Sequence, residues 1–432
     1  MNSQAGFKHE AVLVAGGRIP FQRSQTGYKD LKAYDLGRMA LEGLITGSGI
    51  RPADIDLVIL GNVIQEVNTS NIAREVSLAA GLPESTPAFT TTMACISSNV
   101  AITSAIEKIH TGQQRTIVAG GVETLSDIPV RFRKTFRQKI LQAGKYKSLG
   151  DFLSFFKGLR PSDLLPEIPS ISEFSTGETM GVSSDKMAAR YDISREEQDR
   201  YALRSHRQAA EAAAKGYLDS DLFPAAIPPE FTLVRQDNTV REDTSLEKLS
   251  VLKPAFIETH GTVTAGNSSP LTDGASATLI MSGSRADELG MKPKAVFRSY
   301  VYVAQPPDEE LLLGPAVAIP RVLDEMDLSL NDIDVFEFHE AFAGQILSVL
   351  KALDSTSFAK ERLNRSQKTG EVPMEKLNRW GGSISLGHPF GATGARLVTT
   401  AANRLHREDG RLALVAACAA GGQGHAIILE RL

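Results

Sequence analysis

Short apolar runs alternate along the chain with longer segments in which apolar side chains recur every three or four positions. Apolar runs that are short enough for buried strands occur at residues 57–60, 334–338 and 412–415. Helical spacing is seen at residues 100–110 and 396–406. Because strands that alternate with helices assemble into sheets covered by helices, the pattern predicts an α/β fold.

Two parts of this pattern are repeated. Residues 54–62 recur as residues 332–340, and the helical segment 100–110 recurs as residues 396–406. The spacing between the copies grows across the polar stretch 354–378, which we interpret as a surface insertion in the second copy. Duplicated halves of this kind predict two packed α/β units. A pseudo-twofold axis would bring the starts of the matching helices face to face.

Composition agrees with a large enzyme. The 432 residues are 42% hydrophobic, which is enough for about two to three domains with a sizeable core. The formal net charge of −4 argues against a nucleic-acid partner. No apolar run approaches the roughly 18 residues of a membrane span, and residues 1–10 lack the apolar centre of a signal peptide. We therefore expect a cytoplasmic, bacterial protein.

The chain contains only two cysteines, and both lie in turns rich in small residues. Cys95 directly precedes the helical segment 100–110, where free amides and the helix dipole favour a thiolate. Cys418 follows the predicted strand 412–415. The alternative is that both are small buried apolar residues, as most free cysteines are. Two distant cysteines also fit a reducing compartment in which no structural disulfide forms.

Two histidines stand on turns of the same kind. His388 lies among Gly and Pro before the second copy of the repeated helix, and His339 directly follows the strand 334–338. A cysteine nucleophile needs a base and donors for a developing oxyanion, so these residue types suit acyl transfer. In the aligned repeat, the Cys95 and His388 turns are equivalent helix starts, which predicts that they meet.

Six motifs, in order and over nearly the whole chain, resemble the thiolase family. The motifs are the Cys95 turn, residues 120–126, residues 261–269, the His339 motif, the His388 motif and the Cys418 turn. The resemblance implies a duplicated α/β/α/β/α layered fold with an inserted helical loop domain. It also implies acyl transfer with coenzyme A as a substrate, no permanently bound cofactor and no metal.

The resemblance also implies domain boundaries. The N-terminal half would span residues 1–127 and be completed by about residues 271–293. Residues 128–270 would form the loop domain, which covers the active site and binds coenzyme A. Residues 294–432 would form the C-terminal half. Within the loop domain, Ser194 stands ahead of two glutamates and is predicted to cap a helix.

Catalytic roles are carried over residue by residue. Cys95 would attack the 3-keto carbon of a 3-ketoacyl-CoA, and His388 would be its general base. Cys418 would protonate the departing carbanion. His388 and a water held by His339 would form one oxyanion hole, and the backbone amides of Cys95 and Ala420 would form the other.

The resemblance places four further residues against the acyl chain and coenzyme A: Met180, Ala265, Ser269 and Phe342. The chain departs from short-chain thiolases at His339, where most of them have asparagine, and at Thr179, where many have histidine. A histidine at the first position must have the right tautomer, and its charge can titrate near neutrality. The His339 motif and the 354–378 insertion resemble the β-subunits of multifunctional β-oxidation complexes, which favours medium- or long-chain substrates.

Residues 131–165 carry nine basic and two acidic side chains interleaved with five phenylalanines. A solvated pair of amphipathic helices would explain this composition, and so would a surface that docks on a membrane or a partner. The excursion resembles one in the β-subunits of fatty-acid oxidation complexes. A hydratase/dehydrogenase subunit is therefore a candidate partner, beside a homodimer or homotetramer and peripheral membrane contact.

Three alternatives to 3-ketoacyl-CoA cleavage are open. An acetoacetyl-CoA thiolase acting in the condensing direction would use the same residues. A decarboxylating ketoacyl synthase also uses one Cys and two His, but it lacks the Cys418 acid and the 261–269 loop. A non-catalytic lipid carrier or scaffold on the same fold would not need to keep Cys95, His388 and Cys418.

Overall fold

The computed structural model describes residues 10–167 and 172–432. Residues 1–9, where no signal peptide is expected, and residues 168–171 of the predicted loop domain lie outside the described residues. Among the described residues, no helix is both long and apolar enough to cross a bilayer.

The strands follow in chain order: β1 (Ala11–Arg18), β2 (Gln22–Arg23), β3 (Leu57–Gly61), β4 (Ala88–Thr91), β5 (Thr116–Glu123), β6 (Arg131–Phe132), β7 (Pro166–Glu167), β8 (Ala225–Ile227), β9 (Thr232–Val234), β10 (Thr272–Ser282), β11 (Ala295–Ala304), β12 (Val335–Phe338), β13 (Leu412–Ala419) and β14 (Gln423–Arg431).

The helices are α1 (Ala33–Ser48), α2 (Ile72–Ala79), α3 (Ser97–His110), α4 (Lys134–Ala143), α5 (Leu149–Phe156), α6 (Met180–Arg190), α7 (Arg195–Ala214), α8 (Leu246–Ser250), α9 (Gly283–Glu288), α10 (Gly314–Asp324), α11 (Ala343–Leu353), α12 (Thr356–Leu363), α13 (Ser383–Leu386) and α14 (Thr393–Arg407).

The main sheet repeats one arrangement twice. In the first half, β3 is parallel to β5, β5 is antiparallel to β10, and β10 is antiparallel to β1. In the second half, β12 is parallel to β13, β13 is antiparallel to β14, and β14 is antiparallel to β11. The halves join where β1 pairs with β11. This identical order confirms the duplication that the sequence repeat predicted.

Helices lie between and outside the two halves of the sheet. Along β3, Leu57 and Ile59 pack against α3 and α14 in the centre, whereas Val58 and Leu60 pack against α1 and α2. Strand β13 alternates in the same way between the central helices and the outer helices α10 and α11. Both faces of each strand are therefore buried, and the layers follow the predicted α/β/α/β/α order.

The polar stretch 354–378 is less of a surface feature than the sequence predicted. Phe358 and Val372 are buried in the outer core of the second half. Leu377 forms a parallel bridge with Phe336, in the place that β4 takes beside β3 in the first half. The stretch thus completes the second half of the sheet because its few apolar side chains face inward.

Helix α7 begins as the sequence predicted. The Ser194 hydroxyl accepts a hydrogen bond from the Glu197 amide, and the Glu197 carboxylate accepts one from the Ser194 amide. This capping box satisfies amides that would otherwise lack partners at the helix start.

Candidate active site

Cys95 lies in the tight turn that joins β4 to α3. The preceding residue, Ala94, has a φ of 45°, in the left-handed region that side chains other than glycine rarely adopt. The Ser97 hydroxyl holds this turn, because it accepts a hydrogen bond from the Met93 amide at 2.8 Å and donates one to the Ala94 carbonyl at 2.7 Å. Cys95 lies directly before the helix and is half-buried as a residue, and its thiol is desolvated.

Two histidines of the second half face this cysteine. His339 follows β12 and is fixed by its amide, which donates to the Ala416 carbonyl of β13 at 2.8 Å. His388 precedes α14, and the two imidazole centroids are 4.1 Å apart. The Cys95 sulfur and one nitrogen of each ring all lie within 4.8 Å of one another. The structure thus brings together three residues that the sequence could only place on separate turns.

The predicted meeting of the two helix starts is present. The Ala395 amide of α14 donates to the Ser98 hydroxyl of α3 at 3.0 Å. A Cβ atom at Gly394 would stand 2.0 Å from the Asn99 Oδ1. Only a glycine therefore lets the first turns of α3 and α14 approach this closely.

The Cys418 turn closes the site from the other side. Cys418 is fully buried near the end of β13 and lies close enough to Cys95 for the two thiols to interact electrostatically. The backbone amides of Ala420 and of Cys95 itself act on the Cys95 thiol, because both lower its pKa. These are the two amides that the sequence assigned to an oxyanion hole.

Hydrogen bonds define which nitrogen of His388 carries the proton. Its Nδ1 lies 2.7 Å from the Thr393 hydroxyl, which donates its only hydrogen to the Pro389 carbonyl. With the Thr393 hydrogen on the Pro389 carbonyl, Thr393 accepts a hydrogen bond from Nδ1–H, which leaves Nε2 with a free lone pair. Among the described residues, that Nε2 has no hydrogen-bond partner. His388 is thus prepared to accept a proton.

Burial controls the protonation of both catalytic partners. It raises the pKa of the Cys95 thiol to about 12, although the two amides act in the opposite direction. Burial, with a smaller contribution from Arg396, lowers the pKa of His388 to about 3. The prediction that the helix start favours a thiolate was wrong for the free protein, because desolvation outweighs the amides. The resting pair is a thiol beside a neutral imidazole.

His339 and Cys418 are uncharged as well. Burial lowers the pKa of His339 well below its usual range, and His388 and Arg396 lower it further. The expectation that His339 titrates near neutrality was therefore wrong. Burial also raises the pKa of Cys418 far above its usual range, so this residue carries a proton that it can give away.

The predicted binding residues have different surroundings. Ser269 lies in a segment that contacts both histidine motifs. Ser268 forms a β-bridge with Phe342, and Leu271 forms one with His388. The Phe342 ring is buried and packs edge-to-face on Phe256, with centroids 5.9 Å apart.

The other two predicted contacts, Met180 and Ala265, differ in burial. Met180 is half-buried at the start of α6 and packs against the core of the second half. Ala265 is exposed.

Glu123 is a site residue that sequence reasoning missed. Its buried carboxylate accepts hydrogen bonds from the amides of Val63, Ile64 and Gly391, and burial raises its pKa to about 8. It thereby connects the loop after β3 to the His388 turn. Its position in the 120–126 motif was a signal, but the motif gave no indication of a partner.

Two family models together match nearly the whole chain. The family model "Thiolase, N-terminal domain" matches residues 11–284, and "Thiolase, C-terminal domain" matches residues 291–431. The mitochondrial trifunctional enzyme subunit beta of Mus musculus is 55% identical over 97% of this chain and 88% of its own length. A 3-ketoacyl-CoA thiolase of Yersinia enterocolitica is 43% identical over 97% of this chain and 96% of its own length.

A solved structure agrees with these relatives. The crystal structure of human mitochondrial 3-ketoacyl-CoA thiolase in complex with CoA covers 98% of this chain and 99% of its own, with a TM-score of 0.84 and 31% sequence identity. The shared fold agrees with the Cys95, His339 and His388 cluster. Because both family models and a relative of 55% identity match nearly the whole chain, the chain belongs to the thiolase family of acyltransferases.

Proposed function

We propose that the protein is a 3-ketoacyl-CoA thiolase. It cleaves a 3-ketoacyl-CoA with coenzyme A into acetyl-CoA and a shortened acyl-CoA through an acyl group on Cys95. The observation that carries the proposal is the surroundings of that sulfur. A neutral imidazole with a free Nε2 lies close to it, the amides of Cys95 and Ala420 lower its pKa, and the second cysteine, Cys418, interacts with it electrostatically.

The first half of the reaction forms the acyl-enzyme. The Cys95 proton moves to Nε2 of His388 as the sulfur bonds to the 3-keto carbon. The amides of Cys95 and Ala420 stabilise the resulting oxyanion. The bond between carbons 2 and 3 then breaks, and its electron pair stays on carbon 2 as the enolate of acetyl-CoA. Cys418 gives its proton to that carbon, and acetyl-CoA leaves.

The enolate has its own donors in this proposal. The enolate oxygen carries the negative charge while the carbon–carbon bond breaks. The amides of Cys95 and Ala420 bind a different oxygen, that of the 3-keto group. We assign the enolate oxygen to His339, acting through a water, and to His388, which carries the cysteine proton at this stage. Preorganised donors of this kind are worth about two to three orders of magnitude in rate.

The second half of the reaction restores the protein. The Cys418 thiolate takes the proton of the entering coenzyme A thiol, whose sulfur attacks the acyl group on Cys95. Collapse of the tetrahedral adduct expels the Cys95 sulfur, which recovers its proton from His388. Every proton is then back in its place, and the shortened acyl-CoA leaves. No permanently bound cofactor takes part in these steps.

We assign substrate binding to the predicted loop domain, residues 128–270, which would cover the site between the two halves of the protein. The N-terminal half is residues 1–127, completed by about residues 271–293, and the C-terminal half is residues 294–432. The acyl chain and pantetheine would contact four residues: Met180, Ala265, Ser269 and Phe342. Support comes from the segment around Ser269, which lies between the two histidine motifs.

The proposal includes assembly. Strand β4 is an edge strand whose residues are half-exposed, and it leads directly into the Cys95 turn. An edge of this kind is open to pairing with a second copy, which supports a homodimer or a tetramer built from dimers. The name of the mouse relative supports a further subunit, for which a hydratase/dehydrogenase is our candidate. We retain a cytoplasmic location as part of the proposal, although that relative is named as mitochondrial.

The test combines cleavage with detection of the intermediate. The full-length protein is incubated with 3-ketoacyl-CoA, with and without coenzyme A. We expect acetyl-CoA and a shortened acyl-CoA with coenzyme A, and an acyl mass on the Cys95 peptide without it. Cys95→Ser should abolish both, because an alcohol is much harder to ionise than a thiol. An acyl group on Cys95 without carbon–carbon cleavage, or cleavage that survives in Cys95→Ser, would refute the proposal.

A further inference from the structure

His339 is held by a different set of neighbours from His388. Its Nδ1 lies 2.9 Å from the hydroxyl of Ser383, the first residue of α13. The same hydroxyl accepts a hydrogen bond from Arg396 Nη2 at 2.9 Å. All three side chains are buried. The Ser383 oxygen therefore lies between a permanent cation and a ring nitrogen.

This arrangement defines the proton position on His339. A serine hydroxyl has one hydrogen, and Arg396 can only donate. Among the described residues, Nδ1 of His339 is the only acceptor within reach of the Ser383 hydroxyl. If Nδ1 carried a proton, the buried Ser383 hydrogen would have no acceptor, which is costly. Ser383 therefore donates to Nδ1, and the ring proton of His339 is on Nε2.

An ion pair with a buried carboxylate holds Arg396 in position. Its Nη1 lies 3.6 Å from Oε2 of Glu337, whose Oε1 accepts a hydrogen bond from Arg404 at 2.7 Å. Glu337 is fully buried in β12, two positions before His339. The cation cannot turn away from Ser383 without separating from this buried carboxylate. Its charge also disfavours a second proton on His339.

We propose that Ser383, oriented by Arg396, is a positioning residue that holds His339 as the Nε2–H tautomer, a hydrogen-bond donor to the water that contacts the reacting oxygen. Thr393 holds His388 in the opposite tautomer, as a proton acceptor. Two adjacent imidazoles thus receive opposite roles from two hydroxyl groups. The inference rests on the proposed thiolase function, since it names the residues that make His339 an oxyanion donor.

The tautomer is measured without any reaction. Long-range proton–nitrogen NMR correlations of histidine-labelled full-length protein distinguish Nε2–H from Nδ1–H, and His339→Asn and His388→Asn assign the signals. We expect Nε2–H for His339 and Nδ1–H for His388. Ser383→Ala should shift His339 toward a mixture of tautomers. A wild-type His339 with Nδ1–H would overturn the proposal.

Ser385 provides a matched control on the same short helix. Its buried hydroxyl donates to the Gly382 carbonyl at 3.1 Å and lies 3.0 Å from the Ser205 hydroxyl, and among the described residues it forms no hydrogen bond with His339. Ser385→Ala removes a buried hydroxyl of the same size and should leave the His339 tautomer unchanged. An equal NMR change in both variants would show a structural effect and overturn the proposal.

Kinetics test whether Ser383 acts through His339. Loss of its hydrogen bond should slow exchange of the acetyl-CoA methyl protons with solvent on the order of tenfold, and should affect acylation of Cys95 by an acyl-CoA less. In a His339→Asn background, Ser383→Ala should add almost nothing, because the partner is gone. An equal loss in both backgrounds would overturn the proposal. If the wild type cleaves no 3-ketoacyl-CoA but shows the expected tautomers, the proposed function fails and the positioning role stands.

Discussion

The imidazole rings of His339 and His388 lie with centroids 4.1 Å apart, at an angle of 43°. Both are buried, and the pKa of each is lowered mainly by that burial. Two imidazolium ions at this separation would repel each other strongly. Only one ring can therefore gain a proton during a turnover. The free lone pair on His388 Nε2 identifies that ring, and His339 is left as a neutral neighbour.

Replacing Cys418 should separate carbon chemistry from acyl transfer. Cys418→Ala should lose exchange of the acetyl-CoA methyl protons with solvent, because no other buried thiol stands beside Cys95. Cys95 should still accept an acyl group from an acyl-CoA, because its base and its two amides remain. Proton NMR in heavy water measures the exchange, and peptide mass measures the acyl group. If acylation disappears and exchange survives, the roles of the two cysteines are reversed.

The meeting of Cys95 and His388 could be predicted because it follows from the repeat. Equivalent helix starts of duplicated halves face each other across a pseudo-twofold axis, and the Ala395–Ser98 hydrogen bond fixes that contact. The capping of α7 by Ser194 could be predicted because all of its partners are local in sequence.

Other features could not be predicted, because they depend on burial or on distant contacts. The pKa of Cys95 follows the desolvation of its sulfur, which no local pattern records. The amides that bind Glu123 come from two separate loops. Ser383 is 44 positions from His339, and only the tertiary fold brings the two side chains together.

Buried histidines should make the protein less stable in mild acid. His425 illustrates the effect, because burial lowers its pKa from 6.5 to about 3. Below pH 6.5 the unfolded chain binds a proton that the folded chain does not, so the free energy of unfolding falls as the pH falls toward the folded value. One such group contributes a slope of up to about 1.4 kcal/mol per pH unit.

A His425 variant isolates this effect. His425→Gln should remove one proton from the number taken up on unfolding below pH 6.5. The slope of the unfolding free energy against pH should therefore fall by up to about 1.4 kcal/mol per pH unit. The residue lies outside the site, with its Nδ1–H donated to the Val301 carbonyl at 3.0 Å. Urea unfolding over a pH series at one protein concentration measures the slope. The exposed His110, changed in the same way, is the control. An unchanged slope in His425→Gln would contradict the assignment.

Longer substrates should be cleaved more efficiently than acetoacetyl-CoA. The basis is the His339 motif and the 354–378 insertion, and the physical reason is burial of the acyl chain. Each added methylene contributes up to about 0.8 kcal/mol until the pocket ends. Steady-state kcat/KM for 3-ketoacyl-CoAs of four to sixteen carbons decides the question. Highest efficiency at four carbons would move the proposal to acetoacetyl-CoA thiolase.

Helix α5 presents an apolar stripe to solvent. Leu149, Phe152, Leu153 and Phe156 follow helical spacing and are 79%, 56%, 68% and 70% exposed. Behind this stripe, Phe136 of α4 packs edge-to-face on Phe155, with centroids 5.9 Å apart. None of the nine basic side chains in residues 131–165 forms an ion pair with a described residue. A stripe that is apolar and rimmed by unpaired cations fits a docking surface better than a solvated helix pair.

This surface should be needed for docking and not for catalysis. Changing Arg133, Lys134, Arg137 and Lys139 to Glu should leave cleavage of short substrates nearly unchanged. It should abolish co-sedimentation with anionic vesicles, or with a hydratase/dehydrogenase subunit, at low salt. Attraction to an anionic surface is about 1 kcal/mol per cation and is screened by salt. The matched control changes four exposed basic residues elsewhere that lack ion pairs among the described residues: Lys29, Lys292, Arg321 and Lys360. Two results would contradict this prediction: a wild type that binds neither vesicles nor a subunit at low ionic strength, or a control variant that loses binding equally. Residues 131–165 would then only help to cover the site and would not be a docking surface.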